Sequence, residues 1–468
     1  MKKYNLYTGW LPLLLLLVFS CKKPDPIEGS GGPDGLLNFS VSIPGESAAY
    51  SANTAGPYHD GDTLFINVPT SEEEPVDVTR LKPAASLANN SHMTPGLPGI
   101  LDFTTPVEVT VVNGKGVTQK NYIKVLPTLP KTLFKKVWFK NAQALGVLRT
   151  NISGMTVLGD NMLVADFNVW DAGDAGSGVR VYDKLTGAFK KIVPAPTTFT
   201  AQVCADDAGH FAVNRYNIYG AGFMLYYYED INSAPKLILN YAASDGCPVE
   251  LGKKMSITGN LKEGKAYVYA AAEGTNTYLY WEFMNGVPVS NIPKSVTYGG
   301  AGGAWSYGIV KRMSIEENAS LYISYCHYDG ADTDLKKGSR FDILSATQDI
   351  TQLKKENHDY KILDFDVFTV KGDKFLAILQ QGFWAWDATS VKVFEITDEG
   401  KLNMVPSDAG YKDFMLFSSD IYGGTNYNKW GDIVVDVKGN EVYIYASLAN
   451  TDAATSGVMA YRMIYTPQ

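Results

Sequence analysis

NMLVADFNVWDAGDAGSGVRVYD, residues 161–183, reads as strand, loop, strand, and the same reading recurs five times before the C-terminus. With Asn161 set in register against His210, Lys265, Ser320, Lys374 and Asn440, each anchor is followed by a short apolar and aromatic run: MLVADF, FAVNRY, AYVYAA, LYISYC, FLAILQ and EVYIYA. Further along each unit comes a second run rich in Val, Tyr and Phe, from GVRVYD at Gly178 to GVMAYRM at Gly457. Short β-branched and aromatic runs bounded by Gly, Asp and Asn are the mark of strands between turns.

The anchors lie 49, 55, 55, 54 and 66 residues apart. A period of this size, each unit made of several antiparallel strands, is the signature of propeller blades. A strand precedes the anchor at ISGMTVLG (Ile152), TAQVCADD (Thr200), MSITGN (Met255), RMSIEE (Arg312), DFDVFTV (Asp364) and DIVVDV (Asp432). A fourth follows at FKKIVPA (Phe189), PKLILNY (Pro235), VPVSNI (Val287), DITQLK (Asp349) and KLNMVPS (Lys401). The sixth unit lacks its fourth strand, while a spare run, LFKKVWFKN at residues 133–141, stands ahead of the first unit. Pairing the two closes a ring and leaves no open ladder. The expected fold is all-β, with a six-bladed β-propeller of four-stranded blades over residues 131–468. A seventh blade within the long insert before Trp430, or a tandem of sandwiches, are the alternatives.

Residues 36–130 differ in character. LNFSVSI, DTLFINVP, VDVTRLKP, PVEVTVVNGKG and QKNYIKVLP alternate apolar and polar residues at period two,. Five to seven strands in this length predict an immunoglobulin-like sandwich, here without a Cys-Trp-Cys pattern. A short Pro-punctuated hinge, LPTLPKT at residues 126–132, joins the two parts.

At the N-terminus, Lys2 and Lys3 precede an apolar run at residues 11–19 that is too short to span a bilayer, and Ser20-Cys21 follows,. Residues 1–20 resemble a bacterial lipoprotein signal peptide, which implies lipid on Cys21, although Phe19 departs from the usual small residue; an ordinary secretory signal is the alternative. Residues 21–35, rich in Gly and Pro, read as a flexible tether,. The formal charge of -8 becomes -10 once Lys2 and Lys3 leave, and no basic run exceeds a Lys pair, which argues against a nucleic-acid partner,. Cys204, Cys247 and Cys326 have neither the number nor the spacing of a disulfide framework or zinc site,. No cofactor is expected.

The succession NFSVSIPG, DTLFINVP, VDVTRLKPAASLANNSHMTPGLPG and LDFTTPVEVTVVNGKGVTQKNYIKV resembles the N-terminal domain of a family of Bacteroidetes surface lipoproteins of unknown function. The matching positions are Pro69; Thr79, Leu81 and Pro83; Asp102, Phe103 and Thr104; and Tyr122. The resemblance implies an outer-membrane, lipid-anchored protein on the extracellular face, membership of glycan-capture systems, and surface-complex proteins as partners. None of the matched residues carries a functional role. Pro69 and Pro83 read as strand ends, and Asp102 as a turn cap.

Candidate binding residues come from connections that a propeller would gather on one face. Between second and third strands stand Trp170, Asp171, Asp174, Tyr216, Tyr219, His327, Tyr328, Asp329, Trp384, Trp386 and Asp387. Between blades stand Tyr298, Trp305, Tyr307, Tyr411, Tyr422, Tyr427 and Trp430. Aromatic platforms flanked by carboxylates match sugar rings, whose apolar faces are rimmed by hydroxyls. The ten singled out for binding are Trp170, Tyr219, Trp305, Tyr307, His327, Tyr328, Trp384, Trp386, Tyr427 and Trp430, with packing between blades as the alternative role for each. DGADTD at residues 329–334 lacks the terminal Glu of a complete calcium loop and reads as a solvated turn,. The expectation is a glycan-binding surface protein; a structural or protein-interaction component and a glycoside hydrolase or lyase using Asp171, Asp329 or Asp387 are the alternatives.

Overall fold

The computed structural model describes residues 34–46, 48–71, 75–129, 131–147, 152–166, 178–298, 305–327, 339–359, 361–382, 387–423, 430–450 and 452–466. The chain divides into two compact units, Met1–Pro130 and Lys131–Gln468.

In the first unit the strands are β1 (Leu36–Ser42), β2 (Ala49–Ser51), β3 (Thr63–Pro69), β4 (Lys82–Leu87), β5 (His92–Met93), β6 (Val107–Val112) and β7 (Thr118–Thr128). They form two sheets, β2-β1-β4 and β3-β7-β6-β5. Alternation decides what is buried: Leu64, Ile66 and Val68 of β3 point inward while Thr63, Phe65 and Asn67 point out,. Both sheets contribute to one core, with Phe39 and Val41 from the first and Ile66, Val111 and Ile123 from the second. VDVTRLKP is not one strand, because Asp77 accepts from Thr79 N and turns Val78–Arg80 into a 3-10 segment ahead of β4. Pro83 therefore lies inside β4 rather than at a strand end, whereas Pro69 closes β3 and Asp102 accepts from Thr104 N at 2.8 Å as a turn cap.

The second unit opens with β8 (Thr132–Asn141). Then come β9 (Ile152–Leu158), β10 (Asn161–Asp166), β11 (Gly178–Asp183), β12 (Phe189–Pro194), β13 (Thr200–Ala205), β14 (Phe211–Arg215), β15 (Phe223–Tyr228) and β16 (Lys236–Tyr241). The middle holds β17 (Leu251–Gly259), β18 (Lys265–Ala272), β19 (Thr277–Met284), β20 (Val287–Pro288), β21 (Lys294–Thr297), β22 (Trp305–Arg312), β23 (Leu321–His327), β24 (Ser339–Leu344) and β25 (Ile350–Gln352). The remainder is β26 (Lys361–Val370), β27 (Asp373–Gln381), β28 (Thr389–Glu395), β29 (Met415–Ser418), β30 (Gly431–Lys438), β31 (Glu441–Leu448) and β32 (Gly457–Tyr465).

Among the described residues these strands form six antiparallel sheets in chain order: β9 to β12, β13 to β16, β17 to β21, β22 to β25, β26 to β29, and β30-β31-β32-β8. The last is completed from the front of the unit, with Gly457 opposite Asn141 and Tyr465 opposite Thr132. Phe417 of β29 stacks on Phe134 at 4.4 Å and meets Tyr461 edge-on, so the neighbouring sheet braces this closing pair,. An almost all-β chain of repeated four-stranded antiparallel sheets places the protein in the sandwich and propeller range of folds.

First strands of successive sheets touch: β9 with β13, β13 with β17, β17 with β22, β26 with β30, and β30 with β9. Hydrogen bonds repeat along this series. Cys204 Sγ donates to Met255 O at 3.1 Å, Ser256 Oγ to Val310 O at 2.6 Å, Thr258 Oγ1 to Arg312 O at 2.7 Å, and Lys311 Nζ to Phe365 O, each pair 51 or 54 residues apart. The sequence period thus reappears as a ladder of side-chain to backbone bonds between sheets. Packing between β9 and β13 is close at Gly154, where a Cβ would stand 2.7 Å from Gln202 Cα and 2.9 Å from Ala201 O. Gly154→Val is expected to lower the thermal midpoint sharply, since backbone on the facing strand cannot yield; an unchanged melting curve would contradict this packing.

Three strand boundaries differ from the sequence reading. The first strand of the fourth sheet is Trp305–Arg312, not RMSIEE: the Arg312 side chain donates to the carbonyls of Ser314, Glu316 and Glu317 and gathers that segment into a turn. KLNMVPS is a 3-10 turn capped by Asp398, and the long insert supplies the fourth strand instead as β29. VPVSNI contributes only β20, with β21 pairing further along β19.

Candidate functional site

Pairing registers bring the beginnings of first strands and the ends of second strands to one end of the sheets: Ile152 faces Asp166, Thr200 faces Arg215, Leu251 faces Ala272, Trp305 faces His327, Lys361 faces Gln381, and Gly431 faces Leu448. Residues just inside or just beyond these positions therefore become neighbours although far apart in sequence.

At this end Lys253 is the hub. Its Nζ lies 4.4 Å from the Trp430 ring centroid and 5.9 Å from that of Tyr307, and 3.6 Å from Glu273 Oε1. An ammonium over aromatic faces is attracted by their quadrupoles, more strongly where water is excluded. Tyr216 meets Trp430 edge-on at 6.3 Å, and Phe199 meets Tyr219 edge-on at 5.7 Å. Backbone bonds hold the connections in place: Tyr216 N donates to Phe199 O, Asn217 N to Leu251 O, Glu250 N to Asn217 O, and Glu273 N to Glu250 O. Burial, followed by the charges of Glu273 and Glu250, pushes the Tyr216 phenol up and keeps it neutral,.

Four of the expected binding residues are corrected. Tyr307 is not in a loop but inside β22, and it is only 1% exposed; Trp430 precedes β30 directly and is 3% exposed. Their rings pack on Lys253, Tyr216 and neighbouring strands, so they wall the site rather than offering open platforms. Tyr219 is 64% exposed and stands at its edge. Trp305 and His327 face each other as the terminal residues of β22 and β23, also in strands rather than loops. Trp170, Tyr328, Trp384, Trp386, Tyr427 and Cys21 lie outside the described residues, as do Asp171, Asp329 and the 329–334 turn. Among the described residues no group of His, Cys, Asp and Glu side chains is arranged to hold a metal ion.

Behind the aromatic wall lies a polar cluster that sequence reasoning missed. Breaks in pairing register occur near the start of β13, β17, β22 and β26, and opposite the start of β9. Such bulges re-aim side chains, and several groups beside them converge. Lys254 Nζ bonds Asp364 Oδ2 at 2.7 Å, Ser153 O at 3.1 Å and Gly431 O at 2.5 Å, with Asp432 Oδ1 at 3.3 Å. Lys311 Nζ lies 3.3 Å from Asp364 Oδ1 and 3.7 Å from Asp366 Oδ1. Gln202 Nε2 donates to Asp432 Oδ2 at 2.7 Å, Met155 N to the same oxygen at 2.5 Å, and Val435 N to Asp366 Oδ2 at 2.9 Å. All six first strands are joined through this cluster. Burial favours a neutral Asp364, but Lys254 and Lys311 outweigh it and hold the carboxyl below the usual range,. The available signal was a charged residue inside an otherwise apolar first-strand run, as in DFDVFTV and DIVVDV.

Repeated antiparallel sheets, a braced closing strand and a polar centre define an all-β repeat protein with an aromatic-walled end. Over residues 139–459 the chain matches the family described as Domain of unknown function (DUF8500), and it belongs to that family. No curated protein matches it. Among solved structures it is similar to a DUF4623 family protein from Bacteroides eggerthii, with 13% identity, a TM-score of 0.53, and coverage of 93% of this chain and 99% of that one. It also aligns with hydrazine synthase from Kuenenia stuttgartiensis, with 11% identity, a TM-score of 0.38, and coverage of 86% and 95%. The first likeness is one of fold. No helix among the described residues is long and apolar enough to cross a membrane.

Proposed function

We propose that Lys131–Gln468 is a six-bladed β-propeller, that residues 36–130 form an immunoglobulin-like sandwich, and that the protein is an outer-membrane lipoprotein, anchored through Cys21 on the extracellular face, that binds a glycan. The observation that carries the binding reading is the gathering of Tyr216, Lys253, Glu273, Tyr307 and Trp430 from four sheets at one end, with Tyr219 exposed beside them. Tyr219 offers an exposed ring face at the edge of this cluster, and the buried rings behind it hold the cation and the carboxylate in place, which suits a ligand with an apolar face and a hydroxyl rim,. Among the described residues, the carboxylates that come together, Asp364 and Asp432, are bonded to Lys254 and closed to solvent, which favours a structural over a hydrolytic role for that pair.

The full chain purified in detergent and applied to a glycan array is expected to retain a defined set of sugars. Tyr219→Ala and Lys253→Gln are expected to weaken that binding at least tenfold, equivalent to about 1.4 kcal/mol. Tyr219→Ala should leave the thermal midpoint unchanged. An array that retains no glycan with folded protein refutes the sugar and leaves the protein-interaction reading; binding indifferent to both substitutions refutes this location.

A further inference from the structure

His358 stands where water does not reach: it is 3% exposed, and its Nδ1 is buried with no hydrogen-bond partner among the described residues. It follows the 3-10 turn Lys355–Asn357, between β25 and β26, and its own N donates to Lys355 O at 3.2 Å. Lys355 Nζ is buried on the same turn, and Lys392 Nζ comes from β28 to donate to Asn357 O at 3.2 Å, the carbonyl next to His358 in the chain. A cation in such a place is costly unless a carboxylate meets it. This turn is also where two sheets are tied together. Leu353 N donates to Phe341 O of β24 in the fourth sheet. Towards the fifth, Lys354 N donates to Leu402 O at 2.9 Å, Asn357 Nδ2 to Met404 O at 2.8 Å, and Tyr411 Oη to Asn357 Oδ1 at 2.6 Å.

We propose that His358 is an acid-sensitive latch: while its imidazole is neutral the 353–358 turn clamps the fourth sheet to the fifth, and uptake of a proton as pH falls below the ordinary histidine range releases that turn. The charged groups facing the ring are Lys355 of its own turn and Lys392 of β28. Lys361, buried at the head of β26, is a further cation, and burial raises the Tyr411 phenol and keeps it neutral. The acidic residues of the turn, Glu356 and Asp359, are exposed, and Asp359 Oδ2 already accepts from Gln380 Nε2 at 3.0 Å. Burial first, then the charges of Lys355 and Lys392, push the imidazole down to about 3,.

The sign follows from linkage. A base whose folded-state value is depressed stays neutral in the closed turn after the opened turn has taken its proton. The contribution is fully present above the ordinary value of 6.5 and is lost as pH falls from there towards about 3,. Ordinary carboxylates take up protons only nearer pH 4, so the interval above about pH 5 reports the histidine. The test follows the imidazole nitrogens of the full chain, labelled at histidine, by NMR from about pH 7 to about pH 5. Hydrogen exchange of the Leu353, Lys354, Asn357 and His358 amides, corrected for intrinsic rate, is read alongside in wild type and in His358→Leu. The expected result is a ring signal, assigned by its loss in the variant, that stays neutral throughout, with those amides opening about tenfold more often at about pH 5.5 than at about pH 7. His358→Leu is expected to remove that pH dependence. The proposal is overturned if the ring titrates in the ordinary histidine range, if opening is the same at both pH values, or if the dependence persists in His358→Leu. Should His358→Leu fail to fold, His358→Gln, equally uncharged, takes its place.

Discussion

Lys254→Met is expected to destabilise the second unit by about 3–5 kcal/mol, the range for removing one partner of a buried ion pair. Lys254 is 2% exposed, as is Asp364, and Asp432 is 3% exposed, so water cannot reach in to replace the lost ammonium. The substitution also strands Ser153 O and Gly431 O, which Lys254 now satisfies on two further strands,. Methionine fills the volume, so the loss reports charge and hydrogen bonding rather than a cavity. Denaturant unfolding measures it directly. A second substitution, Asp364→Leu, placed on the Lys254→Met background should cost less than it does alone, because the two side chains belong to one network. If Lys254→Met alone costs under about 1 kcal/mol, the cluster has the weight of a surface ion pair and its bonding across strands is not structural.

Removing residues 131–141 is expected to abolish monomeric behaviour. It strips β8 from β32 and exposes an edge from Gly457 to Tyr465. An open strand of that length templates pairing with other chains. Phe417 would also lose its stacked partner Phe134. Light scattering after size-exclusion chromatography should show aggregates or higher oligomers. A monodisperse, cooperatively melting monomer would mean that β8 is an ornament on a fold complete without it.

The pairing of the front run with the last one was legible because both ends announced it. GVMAYRM lacked a following strand, and LFKKVWFKN had no repeat of its own. The fourth-sheet boundary was less legible. Apolar patterning makes RMSIEE resemble the body of a strand, but Arg312 is the last residue of β22 and the rest turns away, since the Arg312 guanidinium satisfies three carbonyls of the turn. That displacement moved Trp305 and Tyr307 from strand to loop in the sequence reading. The insert concealed β29 in the same way, because a four-residue strand of MLFS has too few alternations to stand out,.

The sequence by itself determined the strand repeat and the partner of its unpaired end, because period and alternation are local properties that each unit spells out separately. Only the tertiary structure decided which side chains meet. Asp432 receives Met155 N from 277 residues away and Gln202 from 230, and Lys254 reaches Asp364 across 110. Those distances are closed by register breaks and by sheet packing, which aim a lysine inward at one bulge and bury Trp430 beneath another. No pattern within a single unit records the geometry of its five neighbours.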